Sequence, residues 1–143
     1  MIGPRSRKQS KQYGLYLRRA DPKVCAFCGV KPEDARFVEQ TANFQVIKND
    51  FPYSLWDAQG VTSHLMVIPI RHTDNLGKMT NQEKVEYVDI LEKYEDRGYS
   101  IYARAPSSAV KTIFHQHTHL IKTDGFIKSF FFMIKKPFVR IVK

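Results

Sequence analysis

Three of the chain's five histidines, His115, His117 and His119, stand at every second position in Phe114-His-Gln-His-Thr-His-Leu-Ile121. Side chains of an extended strand alternate between its faces, so this spacing predicts three imidazoles in a row on one face. Three adjacent imidazolium ions would repel one another, so at least one ring is neutral at pH 7. Such a row suits two kinds of chemistry. It can ligate a metal, or it can supply an imidazole nucleophile flanked by imidazoles that orient it and donate protons or hydrogen bonds. The other two histidines, His64 and His72, bracket the apolar run Leu65-Met66-Val67-Ile68-Pro69. Cys25 and Cys28 are two residues apart, the separation at which two thiolates reach one metal ion, and would need two further ligands. CxxC alone is equally compatible with a free dithiol.

The elements that must position these residues read as an α+β domain. Phe37 to Thr41 and Asn43 to Lys48 have strand character, the second by clear apolar–polar alternation. Asn49-Asp50-Phe51-Pro52 is a turn; a strand is expected near Tyr53 to Asp57, with a loop around Gln59-Gly60. His64 to Pro69 has the length and composition of a strand, and Thr73 to Lys78 that of a loop. Thr80, with Glu83 three residues on, forms a capping box that opens a helix running to about Asp96. Its apolar face is expected to be Val85, Val88 and Leu91, with Tyr87 and Tyr94 beside it, and Gly98 ends it. Further strands are expected at Tyr99 to Ala103, Ile113 to Ile121 and Phe126 to Ile134.

His115-x-His117-x-His119-Leu120-Ile121 resembles the signature of the histidine triad (HIT) superfamily of nucleotidyl hydrolases and transferases. Asn49-Asp50-Phe51-Pro52-Tyr53 and His64-Leu65-Met66-Val67-Ile68-Pro69-Ile70-Arg71-His72 are similar to two further stretches of that superfamily. Cys25-x-x-Cys28 resembles a pair that many bacterial members carry. The resemblance covers residues 24–124. It implies an antiparallel sheet of about five strands with one main helix packed on it. It also implies an enzyme acting on a purine nucleotide, either a nucleoside phosphoramidate or a dinucleoside polyphosphate. His117 would attack the α-phosphorus to form a nucleotidyl-histidine intermediate, with His119 and His64 flanking the phosphate. Thr112 stands where the family has a phosphate-binding serine and Lys111 where it has a glutamine; Arg104 stands where an asparagine is frequent. Gln116 and Thr118 replace residues that are usually apolar. Phe51 is a candidate base contact, Trp56 a weaker one, and Asp57 a candidate ribose ligand. By the same resemblance Cys25, Cys28, His72 and His115 would hold a structural zinc, and the protein would be a homodimer.

The chain has 143 residues, enough for one domain with an ordinary core. Its 43% hydrophobic and 26% charged residues exclude wholesale disorder. No apolar run is long enough to span a bilayer. The basic N-terminus is not followed by the apolar stretch of a secretory signal, so a cytoplasmic, non-membrane protein is expected. The net charge is +9, and the basic residues concentrate at the two ends. Residues 1–23 hold seven lysines and arginines against Asp21, residues 122–143 hold six against Asp124, and the middle is slightly acidic. The expected organisation is a basic N-terminal arm at 1–23, mobile over 1–12 and with Tyr13, Leu15 and Tyr16 either beginning a short helix or anchoring the arm, a HIT-like domain at 24–124, and a basic, aromatic extension at 125–143. The extension would be a further strand or a partner-binding arm. An alternative reading makes the basic ends a nucleic-acid interface, with the site acting on or binding nucleotidylated ends. A third reading, a non-enzymatic zinc domain using all the histidines as ligands, fits the intact triad less well.

Overall fold

Both faces of the central sheet are covered, and the sequence shows why. In the computed structural model, which describes residues 5–127, 129–133 and 138–142, with side chains for 5–127, strand β2 (Phe44–Lys48) has four successive buried residues and β4 (Gln59–Pro69) ends on six. A run of buried residues in a strand requires packing on both sides. One side receives Phe44, Val46, Leu65, Val67 and Leu120, which pack with Met79, Ile90 and Tyr94 of the helical segment. The other receives Ile47, Met66 and Ile68, which pack with Phe27 and Val30 of the cysteine knuckle.

The sheet is antiparallel. The order is β1 (Phe37–Gln40), β2, β4, β6 (Thr118–Ile127), β5 (Ser100–Ala103), and the short β3 (Leu55–Trp56) pairs with the beginning of β4. β3 and β4 form a two-residue hairpin rather than a strand followed by a loop at Gln59-Gly60. Its turn residues, Asp57 and Ala58, have φ of 47° and 62°, the handedness that matches the twist of the flanking strands. In the β4–β6 register Met66 lies opposite His119 and His64 opposite Ile121. Directly opposed residues share a face, so His64, Met66, His119 and Ile121 all stand on the face covered by the knuckle.

Helix α2 (Asn81–Glu95) begins at the expected capping box. Glu83 N–H donates to Thr80 Oγ1 at 3.1 Å, and Thr80 N–H donates to Glu83 Oε2 at 2.7 Å. Its packing face is not the expected valine face. Val85 and Val88 are exposed, whereas Tyr87, Ile90, Leu91 and Tyr94 meet the sheet. Positions 83, 87, 90 and 94 form one stripe at helical spacing, and the tyrosine rings reach the sheet where valines would not. Tyr87 also satisfies the buried Thr118 hydroxyl, at 2.6 Å, which explains how a polar residue is tolerated on the helix side of β6. Gly98, at φ 81°, ends the helical region as expected.

Glu83 is buried, and Arg71 grips it with Nε at 3.0 Å and Nη2 at 2.8 Å. Arg71 first, and then the Thr80 N–H, hold its carboxyl down at about 2. A carboxylate held below its usual value of 4.5 stabilises the fold above that pH, and the contribution disappears as the pH falls toward 2. Glu83→Gln is therefore expected to cost about 1 kcal/mol at pH 7. Urea denaturation of both proteins should show the difference shrinking as the pH is lowered from 4.5 toward 2.

Residues 7–12, expected to be mobile, are helical, and the helix continues through the Tyr13-to-Tyr16 segment, where a short helix was one expectation. α1 (Arg7–Arg19) starts at a capping box of Ser6 and Gln9. The expected anchoring by Tyr13 and Tyr16 is present, both rings lying 5.1 Å from Phe51. Residues 1–4 lie outside the described residues, as do 134–137. The C-terminal extension contains two strands, β7 (Ser129–Met133) and β8 (Phe138–Val142), paired with each other, in place of the single strand expected to Ile134. The side chains of Phe130, Phe131 and Phe132 lie outside the described ones.

Candidate active site and metal cluster

The strand that carries the triad begins later than the period-two spacing implies. Residues 113–117 are irregular, with a bend at His115, and β6 starts only at Thr118. The three imidazoles are therefore not one row. His115 turns toward the cysteines, while His117 and His119 face a cavity and lie edge to face, 5.1 Å apart.

Hydrogen bonds assign the proton on each ring. The Tyr53 N–H donates to His64 Nδ1 at 3.0 Å, which leaves the His64 proton on Nε2. That Nε2 lies 2.9 Å from His119 Nδ1, a shorter contact than the 3.2 Å to Asn49 Nδ2, so it donates to His119, and the His119 proton is on Nε2. His117 Nδ1 donates to the His115 carbonyl at 2.8 Å, leaving the lone pair on His117 Nε2. His115 Nε2 donates to the Pro69 carbonyl at 2.9 Å, leaving the lone pair on Nδ1. Burial favours this neutral state throughout: it lowers His64 to about 3 and His115 to about 4, and it lowers His117 and His119 as well.

His117 and His119 line a cavity of about 70 Å³ that opens to solvent. Phe51, Lys111 and Thr112 line it too, so the structure brings these expected substrate residues to the triad. Lys111 is 7% exposed, with its Nζ donating to the Asp74 carbonyl and to Gln116 Oε1, which also partners the buried Gln116. Burial lowers the Lys111 pKa. Thr112 Oγ1 bonds the Tyr13 hydroxyl at 2.6 Å. Asp57 does not line the cavity: it occupies the β3–β4 turn. The acidic residue that does line it is Asp50, bonded to Arg36 at 3.2 Å. Trp56 also lies off the cavity, stacked on Tyr53 at 5.9 Å. Sequence reasoning missed Asp50, although it stands in the quoted Asn49-to-Tyr53 stretch. It also missed Arg5, Phe27, Tyr13 and Tyr16 as cavity residues. Phe27 meets the His117 ring edge-on at 5.2 Å. Arg104, on the loop after β5, lines the cavity and donates to the Tyr53 hydroxyl at 3.3 Å.

Cys25, Cys28, His72 and His115 form a second cluster, their ligand atoms all within 4.8 Å of one another. His115 Nδ1 lies 3.3 Å from Cys25 Sγ and 3.5 Å from Cys28 Sγ, and His72 Nδ1 lies 3.1 Å from Cys28 Sγ. In tetrahedral zinc coordination, bonds of about 2.3 Å to sulfur and 2.0 Å to nitrogen separate such atoms by about 3.6 Å. The donor set and its spacing therefore fit a four-coordinate metal. The bare Nδ1 of His115 faces the thiols, and its Nε2–H is tied to a backbone carbonyl, as an oriented metal ligand requires.

Solved structures share this arrangement of strands and helix. A HIT family hydrolase from Legionella pneumophila Philadelphia 1 superposes with a TM-score of 0.53 at 18% identity, over 80% of this chain and 98% of its own. The fold is that of the histidine triad proteins. A HIT family hydrolase from Clostridium thermocellum matches with a TM-score of 0.54 at 21% identity, over 74% of this chain and 96% of its own. A zinc-bound histidine triad family protein from Mycobacterium smegmatis matches at 0.52 and 23%, over 72% and 78%. No family model and no curated protein matches the sequence. The sheet expected from the HIT resemblance is present, with β3 as a sixth strand beside the five-strand path. Among the described residues, no helix is long and apolar enough to cross a membrane.

Proposed function

We propose that this chain is a nucleotidyl hydrolase or transferase that attacks the α-phosphorus of a purine nucleotide through His117. One observation carries the reading: His117 Nδ1–H is fixed on the His115 carbonyl, which leaves Nε2 as a bare nitrogen at a cavity lined by cations. A neutral imidazole so oriented is a competent nucleophile at pH 7. A bond forms from His117 Nε2 to phosphorus as the bond to the leaving group breaks. Water then attacks the same phosphorus, the P–N bond breaks, and nucleoside monophosphate departs.

The reading assigns His119 Nε2–H and the Thr112 hydroxyl as donors to phosphate oxygens. His64 acts one step back. By donating to His119 Nδ1 it keeps the His119 proton on the nitrogen that faces the phosphate, so its role is positioning rather than direct contact. Phe51 offers a face for the base. Asp50, rather than Asp57, is placed for a ribose hydroxyl.

The Cys25–Cys28–His72–His115 cluster would hold one structural zinc ion, closed to substrate by its four protein ligands. Its consequence for the site runs through the backbone: the ion would fix His115, and the His115 carbonyl fixes His117.

The enzyme reading is tested by offering adenosine 5′-phosphoramidate and diadenosine triphosphate to the purified protein. Release of AMP from either is the expected result. No release from both, with the protein folded and zinc supplied, would overturn the reading.

A homodimer is proposed on separate grounds. Val85 and Val88 are 64% and 57% exposed on α2, and Ile101 is exposed on the neighbouring edge strand β5. A second copy would cover these residues and the open edge together. Light scattering at tens of micromolar should give twice the chain mass, and the monomer mass would contradict the proposal.

A further inference from the structure

The N-terminal arm completes the cavity. Arg5 lines it, donates from Nε to the Phe51 carbonyl at 2.8 Å, and lies over the rings of Tyr13 and Tyr53 at 4.3 and 5.0 Å. Among the described residues its Nη1 has no hydrogen-bond partner, and that nitrogen is enclosed. What Arg5 offers the cavity is therefore a positive charge that no neighbouring acceptor compensates at Nη1. Arg104 and Lys111 line the same cavity, and among the described residues neither forms a salt bridge. Asp50 is the one carboxylate among the lining residues, and Arg36 already pairs with it.

Three cations at one cavity, with only Lys111 held beside a carboxylate residue, Asp74, exceed what a single α-phosphate needs.

We infer that Arg5, together with Arg104 and Lys111, forms a subsite for the oxygens of an anionic, phosphate-bearing leaving group, so that the preferred substrate carries phosphates beyond the α position. This rests on the nucleotidyl-transfer reading of the same cavity. The arm delivers Arg5 without contributing to the core. No residue of α1 is buried, and the Tyr13–Thr112 bond, the Ser6 N–H to Ser54 Oγ bond at 2.8 Å and the Phe51 ring contacts hold it in place. Arg5→Ala therefore leaves the fold intact.

The test compares wild type, Arg5→Ala and Arg5→Lys with diadenosine triphosphate and adenosine 5′-phosphoramidate. The ratio of kcat/KM for the first over the second should fall about tenfold in Arg5→Ala and recover in part in Arg5→Lys. An unchanged ratio would overturn the inference. ADP and AMP binding to the same proteins gives a readout independent of turnover. ADP should bind wild type more tightly than AMP, and the gap should close in Arg5→Ala. If wild type hydrolyses neither substrate, the enzyme reading fails. The binding gap then decides the subsite alone: a gap that closes in Arg5→Ala supports it, and equal binding of ADP and AMP to wild type refutes it.

Discussion

His117→Ala should lower turnover of either adenosine substrate by about 10⁴-fold or more, with substrate affinity changed far less. The reasoning is chemical. Alanine removes the atom to which the phosphoryl group is transferred, so the two-step route through a covalent intermediate closes. The phosphate-binding groups remain, because His119 takes its orientation from His64 and not from His117. His64→Ala should behave differently. It frees His119 to place its proton on either nitrogen, which weakens the donor at the phosphate but leaves the nucleophile, and a loss on the order of 10²-fold is expected. Equal losses in the two variants would mean that the imidazoles act as one unit. Full activity in His117→Ala would place the nucleophile elsewhere.

Cys28→Ser should abolish zinc binding and lower the thermal midpoint by about 10 °C, corresponding to roughly 3 kcal/mol in a chain of this size. Here the effect comes from topology. The four ligands lie on the knuckle at 25–28, the turn after β4 and the bend before β6, so one ion would tie three separate segments. Without it, burial and the neighbouring Cys25 push Cys28 up to about 11, so Cys28 stays a thiol that cannot stand in for the ionic cross-link. Activity should fall with stability, because the His115 carbonyl that orients His117 belongs to a ligand residue. Metal analysis of wild type should give one zinc per chain. A wild-type midpoint unmoved by a strong chelator would contradict a structural metal.

What the chain discloses before folding is what local rules control. The capping box at Thr80 and Glu83 and the buried run of β4 are short-range patterns that appear at the expected positions, as does strand β2, although its alternation does not become alternating burial because both faces of the sheet are covered. The five residues of the triad region were harder. Their period of two presumes a continuous strand, but the bend at His115 sends that ring to the cysteines instead. The packing stripe of α2 was misread because two valines were weighted above two tyrosines whose hydroxyls find Thr118 and Glu39. The start of α1 at Arg7 is not legible in the sequence because its signal is a polar capping box, Ser6 with Gln9, and not an apolar stripe. Arg5 could not be placed in the cavity from sequence: its partner, the Phe51 carbonyl, is 46 residues away. Asp50 and Asp57 are both acidic and close in sequence, and only the hairpin at 57–58 separates the one at the cavity from the one on the turn.

The most direct test of the central claim is the intact mass of the protein, quenched in alkali during turnover of diadenosine triphosphate, followed by peptide mapping. Nucleotidyl-histidine chemistry predicts a mass increase of one AMP moiety, located on the peptide containing His117 and missing in His117→Ala. Steady hydrolysis with no adduct, or an adduct that persists in His117→Ala, would contradict it.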